Sequence, residues 1–173
     1  MRDATGELLV DVTDAQGKVL LLLLLLRSSG TEAIPAGTSR LARTLKLSHL
    51  LETHGAGNIL VWPAVRIGAK TVASSLLFFN RPLDFRLPNP HISSTIGMAD
   101  GNFTVRLESN KPAPWTWVHL GQTDAKYSDN FFHLWPGTAQ VVHVRPSQPL
   151  TMAQFQKQLK IRSITDIAPG MRA

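Results

Sequence analysis

Cysteine is absent from the 173 residues, and that removes disulfide cross-links, thiolate nucleophiles and cysteine-based zinc sites together. A chain of this kind suits a reducing compartment and the periplasm alike. The opening residues, Met1-Arg2-Asp3-Ala4-Thr5-Gly6, lack the apolar core of a signal peptide. Long hydrophobic runs are missing too. Val19 and the seven leucines from Leu20 to Leu26 fall well short of the roughly 20 residues a membrane-spanning helix needs, so no membrane partner is expected. Acidic charge is scarce, with twelve Asp and Glu against eighteen Lys and Arg, a formal net charge of +6. The basic residues are scattered. Their closest cluster, Lys157, Lys160 and Arg162 beside Gln154, Gln156 and Gln158, reads as a solvated face. No DNA or RNA recognition motif accompanies it, so no nucleic-acid partner is expected.

What is present points to strands. The chain is 43% hydrophobic, and eleven prolines and twelve glycines interrupt it too often for long helices. Leu8, Val10 and Val12 alternate as one face of a strand. Asp14-Ala15-Gln16-Gly17 has the Asp and Gly of a type I turn, and the leucine run that follows is expected to return as a strand buried on both faces. Residues 38–51 are ambiguous. Leu41, Leu45 and Leu47 alternate like a strand, whereas Ser48-His49-Leu50-Leu51 looks like one helical turn. A strand is expected over 58–65, with Pro63 at an edge or a bulge because it has no N–H to donate. Ile67-Gly68-Ala69-Lys70 then turns the chain into a strand over 71–79.

Arg86-Leu87-Pro88-Asn89-Pro90 marks a boundary, since two prolines enforce an extended connection. Domains are therefore expected at 1–87 and 91–173. The second opens with Ile92 to Met98. Phe103, Val105 and Leu107 then alternate with Thr104, Arg106 and Glu108, the pattern of a strand with one wet side. Trp115, Trp117 and His119 alternate with Thr116, Val118 and Leu120. Further strands are expected over 131–135, 141–144 and 159–164, with helical spacing over 151–159. The fold class that follows is all-β, two immunoglobulin-like antiparallel β-sandwiches of about 100 residues each, the first truncated.

The stretch Tyr127-Ser128-Asp129-Asn130-Phe131-Phe132-His133-Leu134-Trp135-Pro136-Gly137 resembles the S-D-N-x-F-x-L-x-P-G segment in the last domain of β-mannosidases of glycoside hydrolase family 2. The closing pattern from Leu159 to Asp166 and the joint from Leu77 to Pro90 are similar to that family as well. One departure is that Leu83-Asp84 follows Arg81-Pro82 where many relatives carry a lysine. The family's first C-terminal sandwich has a strand before the one containing Leu8, so the resemblance implies a chain that starts inside a domain. It further implies a non-catalytic accessory region of a retaining β-mannosidase, cytoplasmic or periplasmic, with the catalytic barrel of the parent enzyme as partner. Retaining hydrolysis of terminal β-linked mannose needs two carboxyl groups about 5 Å apart. In the family both lie on a barrel outside this segment, so no catalytic residue is assigned here.

The motif has a structural explanation of its own. Asp129 and Asn130 can accept backbone N–H bonds, Phe132 and Leu134 would enter the core, and Pro136 and Gly137 fill a type II turn. Sharper functions have thinner support. Trp115 and Trp117 share a strand face and are the candidate binding residues of an alternative reading, a free-standing carbohydrate-binding module for mannosides. Trp62 and Trp135 are also available. His119, His133 and His143 lie on separate strands without metal-ligand spacing, so no metal or other cofactor is expected. Glu108 with Asp129 or Asp124 is a possible carboxylate pair, but acidic residues at loop ends are ordinary.

Overall fold

The computed structural model describes residues 6–27, 41, 43–81, 84–85 and 87–167. Residues 38–40 and 42 of the ambiguous segment, and Pro82, Leu83 and Arg86 of the joint, lie outside them. The chain divides into two compact units, Met1–Phe85 and Arg86–Ala173. Antiparallel sheets dominate both, as the strand-and-turn pattern predicts.

Among the described residues the first unit holds five strands: β1 (Gly6–Asp14), β2 (Val19–Arg27), β3 (Ile59–Ile67), β4 (Lys70–Ser74) and β5 (Leu77–Phe78). Together they make one sheet in the order β2-β1-β3-β4, with β5 also pairing β3. The Asp14 turn closes the first hairpin: the Gly17 N–H donates to the Asp14 carbonyl at 3.0 Å, and the Lys18 N–H to its carboxylate at 2.8 Å. One face buries Val10, Val12, Ile59 and Val61 beneath Leu45, Leu47, Leu50 and Leu51. The last two lie on the short helix α1 (Ser48–His54), so the helical turn wins over the alternating-strand reading of this segment. Among the described residues no second sheet covers that face. The leucine run is a strand but is not buried on both faces. It lies at the end of the sheet, and Leu22 is 67% exposed.

Pro63 sits inside the sheet, opposite Val10 of β1. On its other side the ladder is interrupted between the Val61–Leu77 and Ala64–Ser74 pairs, so its missing N–H costs no ladder bond there. Its carbonyl still accepts from the Ser75 N–H at 3.0 Å. The strand expected over 71–79 is split at the same place, into β4 and β5.

The second unit is a complete two-sheet sandwich. Its strands are β6 (Ser93–Ala99), β7 (Asn102–Glu108), β8 (Ala113–Leu120), β9 (Ala125–Tyr127), β10 (Phe132–Leu134), β11 (Gln140–Pro146) and β12 (Leu159–Arg162), with helix α2 (Met152–Gln158) before the last. One sheet runs β6-β7-β11-β9 and the other β10-β8-β12, the seven-strand content of an immunoglobulin domain. Phe103, Val105, Leu107, Val142 and Val144 from the first sheet meet Ala113, Val118, Leu120 and Leu134 from the second. Period-2 alternation dictates which residues point inward, except on β8, where Ala113 and Val118 lie an odd number of residues apart.

Helix α2 follows from a capping box. The Thr151 hydroxyl accepts from the Gln154 N–H at 3.2 Å, and the Gln154 side chain accepts from the Thr151 N–H at 2.8 Å. The helix thereby delivers Phe155 to the core, stacked on Phe103 with ring centroids 4.0 Å apart and planes 8° from parallel. The alternation after it ends sooner than 164. The Ser163 N–H donates to the Asp166 carboxylate at 2.7 Å, and a short 3-10 turn over Ile164–Asp166 replaces the strand.

Phe155→Ala should therefore destabilise the second unit by about 3–5 kcal/mol through lost burial and the cavity left behind. Denaturant unfolding monitored by tryptophan fluorescence checks this, and a loss below about 1 kcal/mol would contradict the packing described.

Candidate functional site

The motif from Tyr127 to Gly137 carries the chain from the four-stranded sheet to the three-stranded one, and four successive side chains guide the crossing. Tyr127, on β9, accepts at its phenolic oxygen from the Leu120 N–H of β8 at 3.0 Å, a bond between the two sheets. Ser128 continues the β11 pairing. Its N–H donates to the His143 carbonyl and its hydroxyl accepts from the His143 N–H, both at 2.9 Å. The Asp129 carboxylate accepts from the Asn130 N–H at 2.8 Å and from the Gln140 side chain at 3.3 Å.

Asn130 then joins β8. Its Oδ1 accepts from the Val118 N–H at 2.8 Å and its Nδ2 donates to the Val118 carbonyl at 3.0 Å. The side-chain amide thus reproduces, on one residue, the donor–acceptor pair that an antiparallel strand would present. Beyond it Leu134 is fully buried and Phe132 partly so. Pro136 and Gly137 reverse the chain, with Gly137 at φ 72° and the Thr138 N–H donating to the Trp135 carbonyl at 3.1 Å.

A β-bulge follows from the same arrangement. Phe132 pairs with Thr116 but Leu134 pairs with Ala113, so Pro114 and Trp115 together stand opposite His133. Proline suits that position because a bulge needs no ladder bond from its nitrogen, which carries no hydrogen. Trp115 lies at φ 47°, and its N–H donates to His133 Nδ1 at 3.1 Å. That bond requires the neutral ring protonated on Nε2. Burial lowers the His133 pKa from the ordinary histidine value of 6.5, in the direction the bond needs.

Of the two candidate binding residues, Trp115 is half-buried with His133 edge-on to its ring at 5.3 Å. Trp117 is half-buried beneath Phe131, stacked at 5.8 Å and 23°. Phe131 is 61% exposed and sits at φ 59°. Sequence reasoning missed Phe131 because the motif reads as a turn. The available signal was its position next to Asn130. Trp62 is buried, and its Nε1 donates to the Thr13 hydroxyl at 3.0 Å.

The three histidines separate: His119 and His133 share a sheet, while His143 belongs to the other. Among the described residues no group of three or more His, Cys, Asp or Glu is placed to hold a metal. Glu108 is paired with Arg106 and Asp129 is engaged within the motif, so neither carboxylate is held ready for proton transfer. No helix among the described residues is long and apolar enough to cross a membrane. A shallow depression on the first unit, lined by Leu8, Pro63, Val65 and Ala73, has no ionisable side chain in its wall.

Two variants test the Asn130 bridge. Asn130→Ala leaves both Val118 backbone groups unpaired and should cost about 2–4 kcal/mol by denaturant unfolding. Asn130→Asp, isosteric but lacking the donor, should cost at least as much; a neutral Asp variant would contradict the two-bond geometry. For His133, a depressed native pKa means stability is complete above pH 6.5 and declines as pH falls from 6.5 to the native value. An NMR titration of the ring should give a midpoint below 6.5, and His133→Phe should remove that part of the pH dependence.

Comparison with known proteins agrees with this anatomy. Residues 87–167 match the family described as Ig_mannosidase, Ig-fold domain. Two solved structures share the fold. One is the β-D-mannosidase of Dictyoglomus thermophilum, with TM-score 0.70 and 19% identity over 93% of this chain. The other is the exo-chitosanase CsxA of Amycolatopsis orientalis, with TM-score 0.52 and 13% identity over 92% of this chain. The chain spans 18% of the first structure's length and 22% of the second's. No curated protein matched the sequence. Residues 87–167 thus resemble an Ig-fold domain found with mannosidases, and the chain shares its fold with part of a β-D-mannosidase.

Proposed function

We propose that this chain is the non-catalytic C-terminal accessory region of a retaining β-mannosidase, packing on and supporting the catalytic barrel of an enzyme that removes terminal β-linked mannose. The observation that carries the reading is the Tyr127–Gly137 motif. Its polar side chains are spent on backbone bonds between strands, which suits a scaffold better than a reaction centre. The family match over the same residues supports it, as does a fold likeness that fills under one quarter of two glycoside hydrolases.

Retaining hydrolysis needs an acid/base and a nucleophile carboxylate held about 5 Å apart, and those groups belong to the barrel on this reading. The half-buried setting of Trp115 and Trp117 favours packing over an open sugar platform. A stacking residue must present a ring face, whereas Trp117 presents one of its faces to Phe131.

The test is an immunoblot of source-cell extract with antibody raised against this chain. A band far heavier than 19.0 kDa that co-purifies with p-nitrophenyl β-mannoside hydrolysis is the expected result. A band at 19.0 kDa would overturn the reading. The purified chain should be inactive on the same substrate, and manno-oligosaccharides should leave its tryptophan fluorescence unchanged. Quenching that Trp117→Ala abolishes without unfolding would instead favour a free-standing sugar-binding module.

A further inference from the structure

The outward face of β10-β8-β12 has an unusual make-up for a sheet exposed to water. Inward-facing Thr116, Val118 and Leu120 leave Trp115, Trp117 and His119 on the other side of β8. The register places Arg162 directly across from Trp117 and Lys160 across from His119, so both cations share that side. Leu159 and Ile161 pack on the core, which confirms the alternation. His133 completes the face through its contact with Trp115, and Phe131 through its stack on Trp117. The three strands contain no Asp or Glu at all.

Aromatic residues and Arg are the types that interfaces enrich, and Trp, Tyr and Arg dominate their energetic centres. Phe131 strengthens the case. A bulky side chain in the left-handed region costs about 1–2 kcal/mol and persists only when its surroundings impose it. Here the surroundings are identifiable. Asn130 is fixed to Val118 by two hydrogen bonds, and the residue after it is turned outward over Trp117. A scaffold that needed only to complete its own core would gain nothing by holding Phe131 exposed.

We infer that this face is a docking surface for an acidic protein surface supplied by the same polypeptide outside residues 1–173, with Phe131 on Trp117 as the aromatic anchor and Lys160 and Arg162 as its cationic rim. The inference rests on the accessory-region reading above and adds which face makes the contact and what charge it meets. The absence of carboxylates argues for an acidic partner, and the net charge of +6 argues against a second copy of this chain.

The test uses the full gene product from its source organism. A photo-crosslinker is introduced as Phe131→p-benzoylphenylalanine or Lys160→p-benzoylphenylalanine. Val141→p-benzoylphenylalanine serves as control, because Val141 is exposed on β11 of the other sheet. Crosslinks from 131 and 160, but not from 141, to an Asp- and Glu-rich segment of the same polypeptide are expected. Crosslinks from 141 alone would overturn the choice of face while leaving the accessory reading intact. Crosslinks to a separate polypeptide would overturn the choice of occupant. A 19.0 kDa product with no intramolecular crosslink would defeat both readings. A second measurement removes dependence on the crosslinker. In the full-length protein, Lys160→Glu with Arg162→Glu should speed thermolysin release of the second unit about tenfold. Both side chains are exposed, so the unit's own unfolding midpoint should stay unchanged, and an unaltered release rate would overturn the proposal.

Discussion

The second unit depends on one side-chain amide. Asn130 reaches the backbone of Val118 with both ends of its carboxamide, and this fixes where the chain stops following the four-stranded sheet and begins to follow the three-stranded one. Crossing between sheets leaves strand N–H and C=O groups without a ladder partner, and burial makes each unpaired group expensive. A single asparagine meets that demand without adding another strand. Ser128 does the corresponding work on the β11 side, so the two sheets are tied through residues two apart in sequence. The bulge at Trp115, the acceptor role of His133 and the outward turn of Phe131 all lie within three residues of that crossing or pair directly with it.

Electrostatics and packing are linked at His133. The ring accepts from a backbone N–H that the bulge has removed from the ladder, and burial holds the ring in the neutral form able to accept. A histidine that reads in sequence as a metal candidate thus serves as a backbone surrogate for β8, as Asn130 does three residues earlier on the same strand's Val118. The recurring device in this domain is a polar side chain substituting for a missing strand.

Much of this was legible beforehand, for definite reasons. Phe103, Val105 and Leu107 alternate without interruption, and period 2 has one structural meaning when one face is wet. The helical spacing over 151–159 was legible too, and α2 (Met152–Gln158) lies within it. The Tyr127–Gly137 motif was legible as a turn by resemblance and by its Asp, Asn, Pro and Gly. Other features were not readable from one sequence. Pro63 lies within a sheet because two short strands leave a gap beside it, which depends on residues 10 to 15 positions away. The leucine run leaves Leu22 exposed because it lies at the end of the row of described strands, a property of strand order and not of composition. Phe131 looks like any apolar residue beside a turn until backbone torsion turns it outward. Long-range register and local strain, unlike periodicity, leave no mark on the spelling of a chain.

The leucine-rich strand has a consequence for how such a protein is handled by a cell. β2 ends the row of strands, with Leu22 facing water. A sheet edge offers open hydrogen-bonding groups, and nature usually guards it with lysine, proline or a bulge. Here irregular pairing at Leu8–Leu9 and Val12–Thr13 twists the ribbon, while a run of seven leucines supplies no charge to repel a neighbouring strand. Among the described residues nothing pairs with this edge, and an uncharged leucine edge of this kind is the type that favours strand addition, so the first unit is where protection against aggregation would matter most.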